Sequence, residues 1–494
     1  MNDMAFKEDW SFLDKITMGA VGTEKVIEQL NKLGHNIIEL ERYCTSNKIW
    51  STKIKRLRIP DLLCLNCGKR IESRAKSKLG IIMSDAATNP DRRWFVGLRD
   101  NDMVAFIQCY KDVSGRWNSE GVINLFSVGS LKSKEDQTKL SAPKSVNEGA
   151  ERDRTWKSYV PSFDFTVESI EQEGEKRRLR LIKSNGRRQS KLISNDEYIY
   201  VKCGESYPAN SKIASGIVPM EEDFSCTPEK RYDFIKDLES SENETVYTAV
   251  KALGFLERND HAISELKKIV SNPHIDKRIR LEGYSSLLRL GENVWDEFET
   301  FALSSEEKEI RMEFVLILGE LTELPTTEIL IKIAREPSYD SELRAAAIWS
   351  LNASSIETQK LIIDFCFNQD EVIANHAIAK LEKSFKRSLT PFILQRFGDN
   401  EIINAICARI LSICENSDEH AIVQAYLRAT NTDVKNWILF TMGLSGRGRY
   451  EQTLKKYDEN YKDTITKLTL MWDYQPLFLD DTRIEAIDFI KMQK

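Results

Sequence analysis

Asp61 and Glu72 are the residues of this chain best spaced to do chemistry together. Residues 58–65 (Arg-Ile-Pro-Asp-Leu-Leu-Cys-Leu) read as a short buried strand, Asn66-Cys67-Gly68 as a turn, and residues 69–78 as an alternating return strand. A two-residue turn at Asn66-Cys67 sets Asp61 directly opposite Glu72. A turn at Cys67-Gly68 sets it opposite Arg74, and either register brings the two acids close. Opposed side chains on one face lie about 5 Å apart, where two like charges destabilise a sheet. A divalent cation removes that penalty, and Mg²⁺ (or Mn²⁺) takes carboxylate oxygens while keeping waters for metal-assisted hydrolysis of a phosphodiester. Without metal, loss of either acid should therefore leave the melting temperature unchanged or raised. Glu72, Arg74 and Lys76 share a strand face, so Arg74 and Lys76 are the candidates to stabilise transition-state charge or orient the attacking water.

These elements need a scaffold. Residues 22–33 carry a helical apolar period that Gly34 ends, and residues 36–42 make a plausible first strand. A helix, a strand, and a hairpin bearing Pro60-Asp61 and Glu72-Ser73-Arg74 resemble the PD-(D/E)xK restriction-endonuclease-like nucleases. The resemblance covers roughly residues 10–110. It implies a metal-dependent DNA endonuclease in which Asp61 and Glu72 are the metal ligands and Glu24 matches the acid many members contribute from their first helix. The family expects Lys two residues after the acid, where this chain has Arg74; Lys76, next on the same face, is positioned to take over.

Charge is distributed to suit a phosphate-backbone substrate. The net charge of −6 conceals 37 Lys+Arg against 29 Asp+Glu in residues 1–218, a balance of +8, with −14 in the remainder. Lys53, Lys55, Arg56, Arg58, Lys78, Arg92, Arg93 and Arg99 surround the acid pair, and such cations supply sequence-independent affinity for nucleic acid by counterion release. The alternative is a non-catalytic nucleic-acid-binding scaffold whose Arg74 marks a lost active site.

The rest of the chain reads as further domains. A chain of 494 residues can bury two or three cores. We expect a nuclease core of mixed α/β type over 1–129, with short strands at 79–83, 94–98 and 103–109. A polar linker or mobile loop follows over 130–155, then a small β-rich module over 156–219. That module's basic strand and hairpin, residues 176–191, with Tyr198 and Tyr200 form a candidate second nucleic-acid surface. From residue 230 to 494 the pattern is paired helices. Leu253, Leu287, Leu318, Leu351, Leu381, Leu411 and Met442 recur at intervals of 34, 31, 33, 30, 30 and 31, the signature of an α-solenoid. These units resemble HEAT repeats, which implies a surface for a protein partner. A nuclease joined to such an array resembles bacterial systems of defence against phage or foreign DNA.

Other motifs are weaker. Cys64-x-x-Cys67 has the spacing of half a zinc site, with Cys44 and Cys109 as conceivable partners, but no second CxxC exists, so zinc is not expected. Nine scattered cysteines suit reduced thiols in a cytoplasm. The N-terminus has no signal-peptide character, and no apolar run reaches the ~18 residues of a membrane span. His35, His261, His274, His376 and His420 form no recognisable set. Asp85, Asp100 and Asp102 are reserve carboxylates.

Overall fold

The computed structural model describes residues 10–40, 50–52, 57–86, 88–113, 115–144, 150–220, 224–226, 231–321, 325–445 and 448–472. They divide into two compact units, one of residues 10–40 and 57–306, the other of 50–52 with 307–472.

The first unit is built on a mixed sheet. Helix α1 (Trp10–Lys32) leads to strands β1 (Ile37–Glu39), β2 (Leu62–Cys64) and β3 (Arg70–Lys76). After β4 (Ile82–Asp85) come β5 (Met103–Lys111), β6 (Trp117–Ser119) and β7 (Asn124–Ser127). β2 lies between β1 and β3 and pairs antiparallel with both, β3 runs parallel to β5, and β6 and β7 both pair antiparallel with β5. β5 is nearly continuously apolar because both its faces are covered. Ala105 and Ile107 pack with Val26 and Leu30 of α1, whereas Val104 and Phe106 pack with Trp94, Leu131 and Trp156. The helix approaches β3 so closely that a Cβ on Gly22 would lie 2.6 Å from that of Ala75. Gly22 is thus required by space.

Two expectations need correction here. Residues 94–97 form turns, with Gly97 at φ +79°, and the Trp94 ring packs edge-on against Phe95 and Trp156 instead of extending a ladder. The stretch from 130 to 155 is structured wherever it is described. It holds helix α2 (Val128–Ser133) and strands β8 (Lys139–Leu140) and β9 (Arg152–Thr155), with β9 pairing both β4 and β8. Its polar composition hides two internal anchors. Leu131 is fully buried, and Arg154 donates to the fully buried Asp85 at 2.6 Å.

The β-rich module continues the chain with β10 (Ser158–Tyr159), β11 (Phe165–Glu173), β12 (Lys176–Lys183), β13 (Arg188–Ser194), β14 (Tyr198–Ile199), β15 (Ser206–Tyr207) and β16 (Ala214–Ser215). One sheet has the order β13-β12-β11-β15 and another β10-β16-β14. The Asn185-Gly186 turn joins β12 to β13, with Gly186 N–H donating to Lys183 O.

Helices follow. The first unit ends with α3 (Asn243–Leu253), α4 (Asp260–Ser271), α5 (Lys277–Arg289) and α6 (Trp295–Leu303); α5 packs on the other three. The second unit contains α7 (Lys308–Glu320), α8 (Thr327–Arg335), α9 (Ser341–Ser350), α10 (Ile356–Phe365), α11 (Glu371–Ser384), α12 (Thr390–Leu394), α13 (Glu401–Ile413), α14 (Glu419–Arg428), α15 (Thr432–Leu444), α16 (Glu451–Tyr457) and α17 (Tyr461–Trp472). Here α7, α9, α11, α13, α15 and α17 pack in succession, while α12, α14 and α16 form a second row against them. The seven residues of the sequence period are buried. Each stands eleven positions after the N-cap residue of its segment, namely Glu242, Asp276, Glu307, Asp340, Asp370, Asn400 and Asn431. In five of these the cap side chain accepts a backbone N–H of the first turn, which explains why the helices start there. Among the described residues no helix is long and apolar enough to cross a membrane.

Candidate active-site cleft

The register of the hairpin decides which acids meet. Leu62 pairs with Ile71 and Leu63 with Arg70, so Asp61 continues the ladder opposite Glu72. Pro60 has no N–H to donate, so it cannot extend the ladder. The Asp61 carboxylate fills the gap and accepts the Ser73 backbone N–H at 2.8 Å. Beyond this point β3 has no ladder partner on the β2 side among the described residues, and a cleft of about 220 Å³ opens along its edge. Lys15, Ile16, Met18, Gly19 and Thr23 of α1 line it, with Asp61, Ser73, Arg74, Ala75 and Lys76. Thr23 Oγ1 donates to Ser73 Oγ at 3.0 Å and fixes the helix against the strand.

Asp61 and Glu72 are both buried. Glu72 does not line the cleft itself; its carboxylate is ion-paired with Arg74, which does. Lys76 lines the cleft with its ammonium pushed down to about 8, chiefly by burial and then by the neighbouring Arg74 guanidinium. Glu24 is exposed on α1. It lies two residues, about 200° of helix, from the sheet-facing Gly22, so the structure does not bring it to the acid pair.

The basic residues fare differently. Lys53, Lys55 and Arg56 lie outside the described residues. Arg58 and Lys78 are exposed. Arg92 pairs with Glu151 at 2.5 Å, Arg93 with Asp85 and Glu135, and Arg99 with Glu242 at 3.7 Å. Local acids thus offset three of the predicted DNA-contacting cations. In the β-rich module, Arg178, Arg180 and Arg188 are likewise paired, with Glu173, Glu171 and Glu168. The reserve carboxylates are structural. Asp102 holds the buried Arg70, Asp85 holds Arg93 and Arg154, and Asp100 pairs with Lys132.

A second cluster sits at the turn end of the same hairpin. Cys64, Cys67, Cys226 and His35 present ligand-capable atoms within 4.8 Å of one another. No family model matches this chain, and no curated protein does. Among solved structures, human deoxyhypusine hydroxylase in complex with glycerol is similar over 49% of this chain and 83% of that one, at 12% identity and a TM-score of 0.18. Sequence reasoning missed His35 and Cys226 as companions of the CxxC pair. Their only sequence signals are adjacency to Gly34, which ends α1, and a lone cysteine after the β-rich module.

Proposed function

We propose that the mixed-sheet part of this chain is a Mg²⁺-dependent nuclease and that the helices beyond it form a HEAT-like array that recruits or senses a partner. The observation that carries the reading is the placement of Asp61 opposite Glu72 at the head of a cleft that Lys76 and Arg74 also line. The donor set fits a hard divalent ion. Asp61 lines the cleft and Glu72 stands across the ladder from it, so two carboxylates, the hard oxygen donors that Mg²⁺ takes, are neighbours at the strand edge. Bound Mg²⁺ would lower the pKa of a coordinated water and offset charge on the scissile phosphate. The protein's own contribution is electrostatic. Lys76 and Arg74 present fixed cations to phosphate oxygens, where charge builds in the transition state, and Arg58, Lys78 and Lys15 add backbone affinity.

The test is incubation of the full chain with plasmid, linear duplex, single strands and RNA, with and without Mg²⁺ or Mn²⁺. Cleavage of DNA only with metal, lost in Asp61→Asn and in Glu72→Gln, is the expected result. Full cleavage by either variant would remove these acids from the mechanism. One observation favours a second reading, that of a non-catalytic nucleic-acid scaffold: Arg74 stands where the family expects Lys and already engages Glu72. DNA binding by wild type without cleavage under any metal would select it. If cleavage serves defence against phage, protection of cells should vanish in the same Asp61→Asn variant.

A further inference from the structure

We infer that Cys64, Cys67, Cys226 and His35 form a structural zinc site that pins the hairpin carrying Asp61 and Glu72. Three segments distant in sequence converge on it: the end of α1, the β2–β3 loop, and the chain just after the β-rich module. Cys64 Sγ lies 3.9 Å from Cys226 Sγ, and Cys67 Sγ lies 3.8 Å from His35 Nδ1. A tetrahedron with Zn–S bonds of about 2.3 Å has edges of about 3.8 Å, so these atoms already stand near coordination distance around a common centre. A disulfide would need sulfurs about 2.05 Å apart, and all three cysteines are free.

The surroundings are those of a built site. His35 turns its other nitrogen, Nε2, to the Phe224 carbonyl at 2.8 Å. That bond fixes the tautomer with the proton on Nε2 and leaves the Nδ1 lone pair for the metal, as outer-shell partners of ligating histidines do. The Phe224 ring stacks on the imidazole at 4.8 Å between centroids. Backbone bonds hold the ligands in place: Cys226 N–H donates to Leu33 O at 3.0 Å, and Leu65 N–H to Asn36 O at 2.8 Å. The two tight turns require glycine. Gly68 closes the CxxC loop at φ +70°, and Gly34 turns the chain out of α1 at φ +86° with the Cys226 carbonyl packed against it. Cys64, Cys226 and His35 are buried and Cys67 is half-buried.

Four protein ligands of the Cys₃His type leave no open position, which makes the site structural and not hydrolytic. It is independent of the proposed Mg²⁺ chemistry in the cleft. The soft sulfur donors select zinc over Mg²⁺, and Cys64 stands three residues from Asp61, so the ion would fix the hairpin's turn end and hence its register.

The full chain, purified without added chelator, tests this by elemental analysis and X-ray absorption at the zinc edge. The expected result is about one zinc per chain with three sulfur neighbours near 2.3 Å and one nitrogen near 2.0 Å. Cys226→Ser and His35→Ala should each lower retained zinc severalfold, while Cys109→Ser, a buried cysteine outside the cluster, should keep it. Should the ligand variants fail to fold, Co²⁺ exchanged into wild type supplies the second measurement, with thiolate-to-metal absorption and tetrahedral visible bands expected. Substoichiometric zinc in wild type with no such Co²⁺ spectrum would overturn the inference. So would an oxygen-only shell, a Cys64–Cys226 disulfide by mass spectrometry, or full zinc retention by Cys226→Ser. Nuclease activity is not a readout here, so failure of the zinc site and failure of the nuclease reading are distinguishable.

Discussion

Truncating Asp61 to alanine should destabilise the sheet-bearing unit even in chelator, opposite to what the bare sequence suggests. Two acids facing each other across a ladder repel, and on that ground alone Asp61→Ala would be neutral or stabilising. Two other interactions compete with that repulsion. Glu72 is ion-paired with Arg74, which offsets part of the charge Asp61 would feel. Asp61 also accepts the Ser73 N–H at 2.8 Å, where the Ser73 residue is only 7% exposed. A hydrogen bond to a charged acceptor contributes about 1.5–3 kcal/mol, and a buried N–H left without a partner costs about 1–3 kcal/mol. These are two views of one loss, so the expected penalty is about 2 kcal/mol, less any relief of residual repulsion. Asp61→Asn keeps an oxygen that can accept the same N–H and should recover at least half of it. Because the chain has two units, a single unfolding free energy is not defined for it. The assay is therefore amide hydrogen exchange by mass spectrometry over residues 70–76 in EDTA, together with the melting temperature of the transition in which that segment opens. Faster exchange in Asp61→Ala than in Asp61→Asn, with wild type slowest, is expected. Equal or slower exchange in Asp61→Ala would show that repulsion from Glu72 dominates and that the Ser73 bond contributes nothing.

Lys76 should leave a signature in pH profiles. With its ammonium near 8 and a cation required at the phosphate, kcat/KM, which reports the free enzyme, should fall above pH 8 relative to Lys76→Arg, whose guanidinium stays charged. The variant-to-wild-type ratio should climb about tenfold per pH unit there, and a flat ratio would contradict the role. His376, buried on α11 and stacked on Trp50, has its imidazole pushed down to about 4 by burial. Its folded value lies below the unfolded one of about 6.5, so the unfolded chain binds more protons between those pH values and stability rises with pH. We expect the helical unit to lose about 1.4 kcal/mol per unit, about 3 in all, as pH falls from 6.5 to 4, and to be flat above. Urea unfolding followed by circular dichroism checks this, and His376→Gln should remove the slope. Asp85→Asn should cost about 3 kcal/mol, because it leaves Arg93 and Arg154 facing a neutral amide at a fully buried position; an unchanged thermal transition would refute that.

What could be read from the sequence follows from how local the cause is. The closeness of Asp61 and Glu72 is readable because a short hairpin keeps its two strands in near register, whereas the choice between Glu72 and Arg74 as the residue opposite Asp61 depends on the exact turn residues and is settled only by the ladder. The helical period is readable because each buried apolar residue of the repeat stands the same eleven positions after an acid or amide at the N-cap. The 94–97 turn was misread because short apolar runs look like strands whether their rings pair across a ladder or pack on one another. The 130–155 stretch was misread because its polar residues are partners inside the fold: Arg154 and Glu135 look like linker composition until Asp85 and Arg93 are beside them.

Charge counts fail for the same reason. A surplus of cations around residues 53–99 suggested a continuous basic surface, yet Arg92, Arg93 and Arg99 are each matched to an acid brought in from elsewhere in the chain. Net charge is additive along a sequence, whereas potential depends on where opposite charges end up. The cluster of His35, Cys64, Cys67 and Cys226 is the sharpest case. A CxxC pair announces two ligands through local spacing, but the other two enter from positions 29 residues before Cys64 and 159 residues after Cys67, and only folding makes them neighbours. A missing second CxxC is a statement about sequence spacing, whereas the cluster is a statement about space. A tetrahedral site needs four donors around one point, and a helix end closed by Gly34 delivers His35 there as well as a second CxxC would.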